Sequence, residues 1–105
     1  MVPGGETRPV GDRPKEALFN IIGTEIREAN FLDLFAGTGS VGIEALSRGA
    51  ALCVFLDIQP IAIRTVQDNL KLTGLEGSAL VLRKDAFIYL QGEIRHTFDF
   101  VYIAP

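Results

Sequence analysis

The run Asp33-Leu34-Phe35-Ala36-Gly37-Thr38-Gly39-Ser40-Val41-Gly42 places a carboxylate, a glycine-rich turn and a helix start side by side. Glycines at such a turn let a ligand approach the backbone, and the first N–H groups of the following helix are free to bind it. Two further aspartates occupy comparable places. Asp57 closes the apolar run Leu52-Cys53-Val54-Phe55-Leu56 and precedes Ile58, and Asp85 follows Ala79–Leu82 and precedes Ala86 and Phe87. One aspartate alone reads as a helix cap or a turn residue. Three at successive strand ends, beside a glycine turn, read as the floor of a nucleotide-type cofactor site.

The elements that must position these residues alternate. The pattern predicts a helix over Pro14–Ile22, capped by Asp12, stopped by Gly23 and with Leu18, Ile21 and Ile22 on one face. A first strand covers Phe31–Phe35. A helix over Ser40–Arg48 closes at Gly49. A second strand, Leu52–Leu56, is continuously apolar and so buried on both faces. The longest helix runs Pro60–Thr73 between a proline start and Gly74, with Ile63, Val66 and Leu70 at helical spacing. A third strand spans Ala79–Leu82, a brief helix Ala86–Leu90 and a fourth strand Phe98–Ile103. Right-handed crossovers then give a parallel sheet in spatial order 3-2-1-4, with the ligand beyond the carboxyl ends of the strands at the switch point beside strand one. The expected fold class is α/β, a Rossmann-like sheet.

Composition narrows the classes. The chain has 105 residues, 48% of them apolar, which suits one domain with a buried core. No apolar run reaches the roughly 18–20 residues of a membrane span, and no secretory signal is visible, so a cytoplasmic protein without a membrane partner is expected. Cys53 is the only cysteine and reads as a buried thiol. With one histidine, His96, in a polar turn and no cysteine pair, no metal site is expected. A net charge of −3 does not advertise a nucleic-acid binder, so any polynucleotide contact must come from a local basic patch. Glu44 is expected to face solvent, and Tyr102 to pack.

Two cofactors fit the glycine turn. Gly37-Thr38-Gly39-Ser40-Val41-Gly42 matches the dinucleotide fingerprint, and Asp57 lies about 20 residues beyond Gly37, as that fingerprint expects. Asp33, however, stands where dinucleotide sites have apolar residues. A carboxylate there repels a pyrophosphate and attracts a cation. S-adenosylmethionine, with an ammonium and a sulfonium, suits it better. Asp85, Ala86 and Phe87 would then serve an adenine.

Joined to this turn, Arg8-Pro9-Val10, Asp12-Arg13-Pro14-Lys15-Glu16-Ala17-Leu18-Phe19-Asn20 and Gly42-Ile43-Glu44-Ala45-Leu46-Ser47-Arg48-Gly49-Ala50 resemble the RsmD-type methyltransferases. That resemblance implies S-adenosylmethionine-dependent methylation of the exocyclic N2 of a guanine in small-subunit ribosomal RNA, free or in an assembly intermediate. It implies cofactor contacts at Asp33, Ala36, Gly37, Gly39, Asp57, Ile58, Asp85 and Ala86. It implies an amino-terminal element, residues 1–28, that covers the cofactor and faces RNA through Arg8, Arg13, Phe19 and Asn20, ahead of a cofactor-binding half over 29–105. Read from the residues alone, Phe19 is a buried helix position and Arg8 and Arg13 are surface charges. The family's catalytic motif, a polar residue, two prolines and an aromatic after strand four, aligns with Ala104 and Pro105. There the polar residue is replaced, and the chain looks truncated after strand four. The expected consequences are an impaired catalytic segment and self-association through the strand-four edge. A small-molecule or protein methyltransferase on the same site, and a nicotinamide enzyme, are the alternative functions.

Overall fold

The computed structural model describes residues 12–94 and 96–103. Four strands, β1 (Asn30–Asp33), β2 (Leu52–Asp57), β3 (Ala79–Arg83) and β4 (Phe100–Tyr102), pair in parallel in the order β3-β2-β1-β4. This is the expected order. The helices between them are α2 (Ser40–Ser47), α3 (Pro60–Thr73) and α4 (Ala86–Gln91), and α1 (Asp12–Ile22) precedes β1. No described helix is long and apolar enough to cross a membrane.

Each face of the sheet has its own core, because successive strand residues point to opposite sides. Phe31, Cys53 and Phe55 pack with Phe19, Val41, Ala45, Val66 and Leu70 of the three longer helices. Leu32, Val54 and Leu56 pack on the other side with Ala86 of α4. Residues 53–56 of β2 are all buried, as a continuously apolar central strand should be. The Cys53 side chain is fully enclosed, and burial pushes its thiol well above the usual range, with the nearby Asp33 adding to the shift. α3 begins and ends where the proline and Gly74 put it.

Several boundaries and orientations differ from the sequence expectation. β1 stops at Asp33 rather than Phe35, since the Leu34 N–H donates to the Tyr102 carbonyl at 3.1 Å and the chain then turns into the glycine loop. β4 is three residues, not six. Its start is fixed by Asn30, whose N–H donates to Asp99 Oδ2 and whose side-chain amide donates to the Thr97 carbonyl, both at 2.8 Å, before pairing begins. α1 already includes Asp12 as a helical residue, and Gly23 converts it into a 3-10 turn, Gly23–Ile26, rather than ending it. The buried side of α1 centres on Phe19, with Leu18 and Ile22 beside it, while Ile21 is 84% exposed. Hydrophobicity alone assigned Ile21 to the core, but its neighbours at helical spacing leave it pointing outward. Glu44 is half-buried rather than solvated. It accepts from Arg48 Nε at 2.7 Å and lies 3.7 Å from Lys15 Nζ, joining α2 to α1.

Candidate functional site

The three aspartates converge at the carboxyl ends of β1, β2 and β3. Asp33 is the last residue of the strand whose register neighbours are Phe55 and Tyr102, so its side chain is enclosed. It is 1% exposed, and its Oδ1 has no hydrogen-bond partner among the described residues. Burial pushes its carboxyl up to about 7, the charge of Asp57 adds to this, and the backbone amides of Gly42 and Phe35 pull the other way. A buried carboxylate with an open oxygen is expensive unless a cation completes it. The arrangement therefore fits a cationic group.

Asp57 holds the glycine loop. Its Oδ2 accepts from the Gly37 N–H at 3.0 Å and its Oδ1 from the Gln59 N–H at 2.9 Å. One carboxylate thus ties the end of β2 to the turn after β1. Each oxygen keeps a further lone pair for hydroxyl groups of a ligand. The loop itself is built by Ala36, whose N–H donates to the Leu56 carbonyl at 2.9 Å and whose carbonyl accepts from the Gly39 N–H at 2.8 Å. Gly39 adopts the left-handed conformation, φ 83°, where a side chain would be strained. Gly42 meets a different requirement. A Cβ there would stand 2.3 Å from Phe55 Cε2 and 2.7 Å from Cys53 Sγ, so only glycine lets α2 lie against β2. The hydroxyl of Ser40, at the start of α2, is buried and also without a partner among the described residues.

Asp85 caps α4, its Oδ1 accepting from the N–H groups of Phe87 and Ile88 at 2.8 and 3.1 Å. The cap reading is therefore true of Asp85, and both bonds use the same oxygen, which leaves Oδ2 outside the cap. A cleft of about 90 Å³ lies between Asp57 and Asp85, lined also by Phe35, Ile58, Ala86 and Phe87. Phe35 and Phe87 are 45% and 70% exposed, large apolar faces left open beside two carboxylates. That combination suits a flat heteroaromatic base with polar edges. Phe35 and Lys84, another lining residue, were missed in the sequence, where Phe35 read as a strand residue.

The structure does not bring every expected residue here. Phe19 is 1% exposed beneath the Arg48 guanidinium, 5.2 Å from its ring centre, and packs on Phe31, so it offers no ring to RNA. This corrects the role implied by the resemblance and agrees with the reading from the residues alone. Asn20 is exposed but borders a different cleft, beside Arg27 and Arg48. Arg8, Ala104, Pro105 and the side chain of Arg13 lie outside the described residues. His96 is exposed, against Phe98, and Tyr102 packs on the core.

Comparison with known proteins adds a family. The model of the family described as Conserved hypothetical protein 95 matches residues 1–105. The Ribosomal RNA small subunit methyltransferase D of Haemophilus influenzae is 38% identical over 100 residues, covering 93% of this chain and 52% of that protein. The solved structure of yhhF from Escherichia coli matches with a TM-score of 0.81 and 31% identity, covering 99% of this chain and 56% of that one. An RNA methyltransferase from Salinibacter ruber, in complex with S-adenosyl-L-homocysteine, matches with a TM-score of 0.68 over 76% of this chain and 52% of that one. At 21% identity, that last likeness concerns the fold alone. The chain spans about half the length of the relatives it matches.

Proposed function

The chain belongs to the Conserved hypothetical protein 95 family, that of the RsmD-type methyltransferases, and from that premise we propose that it carries the cofactor-binding half of an S-adenosylmethionine-dependent methyltransferase acting on small-subunit ribosomal RNA in the cytoplasm. The observation that carries the cofactor reading is Asp33, enclosed with an open oxygen beside the glycine loop. A dinucleotide would bring its pyrophosphate against that oxygen. A sulfonium ligand with an α-ammonium brings a cation.

When bound, S-adenosylmethionine supplies an activated methyl group. The chain's own residues bind and orient. Asp33 would hold the cationic end at its open Oδ1, the proton that burial keeps on the carboxyl being released to water. Asp57, already fixed by Gly37 and Gln59, offers its remaining lone pairs to the ribose hydroxyls. Asp85 and Ala86 meet the adenine edge, while Phe35, Ile58 and Phe87 cover its faces and exclude water. Ala36, Gly37 and Gly39 form the backbone wall along the methionine part. The acceptor is the exocyclic N2 of a guanine, a weak nucleophile whose lone pair is delocalised into the ring. Most of the acceleration must therefore come from orientation and from acceptors aimed at the amine hydrogens, for which the family resemblance points to the segment at Ala104 and Pro105. The β4 edge is also the proposed route to self-association, testable by sedimentation.

Titration calorimetry with S-adenosylhomocysteine and with NAD tests the cofactor reading. Binding of the first and not the second is expected, and the reverse would overturn it. Radiolabelled methyl transfer to small-subunit RNA, run beside a longer chain that adds the second half of the relatives, tests the reaction. Turnover is expected in the longer chain and little in this one. Equal turnover would place the catalytic segment elsewhere.

A further inference from the structure

A second cleft, of about 380 Å³, opens at the amino end of the strands, where the 3-10 turn before β1 meets the end of α2. Asn20, Thr24, Arg27 and Arg48 supply its polar lining, Phe19 and Ile26 are also among its walls, and no carboxylate lines it. We propose that this cleft docks the phosphodiester backbone of an RNA strand. The inference rests on the ribosomal-RNA reading above and adds to it a binding surface separate from the cofactor cleft.

Arg48 is already set for such an interaction. Its Nε donates to Glu44 Oε2 at 2.7 Å, and its guanidinium lies over the Phe19 ring at 5.2 Å. The plane is thereby fixed, and its terminal amino groups have no acceptor among the described residues. Arg27 is brought beside it by the backbone. The Glu28 N–H donates to the Gly49 carbonyl at 2.8 Å, and a Cβ on Gly49 would touch Arg27 Cγ at 3.4 Å, so the stem of Arg27 lies against the residue that follows Arg48. The Arg27 head is exposed and has no carboxylate partner among the described residues. The Asn20 amide and the Thr24 hydroxyl likewise make no side-chain hydrogen bond among them.

Two guanidinium forks with a neutral donor amide and a hydroxyl suit tetrahedral oxyanions, which accept paired N–H bonds. The chain as a whole is acidic, at −3, so its overall field does not draw in a polyanion. Attraction must be local, and this cleft sets two guanidinium groups side by side with no carboxylate in its lining, Glu44 holding Arg48 from behind through Nε. α2, eight residues long, runs about 12 Å from the glycine loop to Arg48 at 1.5 Å per residue. A strand of a few nucleotides spans that length, so one RNA can present a base at the carboxylate end while its backbone is gripped here.

The test is fluorescence anisotropy of a short labelled single-stranded RNA against the full chain over a salt series, with Arg27→Glu and Arg48→Lys. Arg27→Glu is expected to weaken binding about tenfold, the scale of one charge-assisted hydrogen bond. The slope of log affinity against log salt should fall by about 0.7 to 1 for each phosphate that is no longer neutralised. Arg48→Lys, which keeps the charge and loses the fork, should weaken it less, and S-adenosylhomocysteine affinity should stay unchanged in both. RNA binding with the same affinity and slope in Arg27→Glu would overturn the inference and leave the methyltransferase reading standing. Failure of the unaltered chain to bind RNA would overturn the inference together with the RNA substrate. Equal competition by polyglutamate would assign the cleft to an acidic protein instead. Loss of S-adenosylhomocysteine binding in the unaltered chain, with the RNA results intact, would sink the cofactor reading alone.

Discussion

The two ends of the sheet carry opposite chemistry. At the carboxyl ends, three aspartates stand at a glycine loop, two of them lining a narrow cleft and the third sealed from water. At the amino ends, two arginines border a wider cleft open to solvent. The same crossovers make both. Each strand delivers the chain to the start of a helix at one end, and each helix returns it at the other. Backbone amides at the start of α2 offset part of the cost of the buried Asp33, and Arg48 sits at the end of α2, where the helix dipole favours a cation. The difference lies in how each charge is held. The acidic end stores an unfavourable charge that a ligand would relieve. The basic end leaves Arg27 exposed to solvent and holds Arg48 by one edge, against Glu44 and Phe19.

If that contrast is right, the largest effect should come from Asp33. Its folded carboxyl titrates at about 7 against 3.8 when unperturbed. The folded state therefore holds the proton more tightly than the unfolded state. Stability should be unaffected below pH 4, fall as pH rises from 4 to 7, and reach its full deficit above 7, a loss of about 4 kcal/mol. Denaturant melts of Asp33→Asn across this range should remove that part of the slope. In calorimetry, S-adenosylhomocysteine should bind more tightly at pH 8 than at pH 6, and Asp33→Asn should abolish the difference. A flat profile in the unaltered chain would mean that Asp33 is not the strained charge described.

Asp57→Ala comes next, and acts on the acidic end alone. Loss of charge-assisted bonds to ligand and loop should weaken S-adenosylhomocysteine by about 1.5–3 kcal/mol, with RNA binding at the arginine cleft unaltered. An unchanged dissociation constant would remove Asp57 from the site. Gly42→Ala should instead disturb both ends at once, since α2 joins them. With Phe55 at 2.3 Å from the new methyl, helix and strand must separate, at about 1–3 kcal/mol of stability, visible as a lower Tm. Glu28→Gly touches only the basic end and should have the smallest effect. Glu28 sits in the left-handed region, φ 62°, where glycine avoids about 1–2 kcal/mol of strain but restores some unfolded-state freedom. A net gain of about 0.5–1 kcal/mol in chemical denaturation is expected, without change in cofactor binding.

The acidic end was the more legible in the sequence. Strand order follows from alternating elements and the crossover rule, and the three aspartates fall at strand ends because apolar runs stop there. α3 was legible to the residue, since a proline and a glycine mark its ends. The basic end was not. Arg27 and Arg48 come from segments far apart in the chain, joined by the Glu28–Gly49 and Ala51–Ala29 hydrogen bonds, and no local pattern announces that meeting. The Glu44–Arg48 spacing on α2 was the one available signal. Phe19 was legible as a buried helix position, but Ile21 is equally apolar, and periodicity placed it on the core face with Leu18 and Ile22. β4 looked longer because Phe98 and Ile103 extend its apolar run, but β1 offers only four residues to pair with. The degree of enclosure of Asp33 depends on Phe55 and Tyr102, which arrive from other strands.

The solitary thiol of Cys53 gives the molecule a built-in clock. It is sealed in the middle of β2 and held protonated, so alkylating reagents meet neither an accessible sulfur nor a thiolate while the sheet is closed. Modification can proceed only through an opening that exposes the centre of the sheet. Its rate under native conditions therefore reads out how often the whole core breathes, with no competing cysteine elsewhere in the chain to blur the signal.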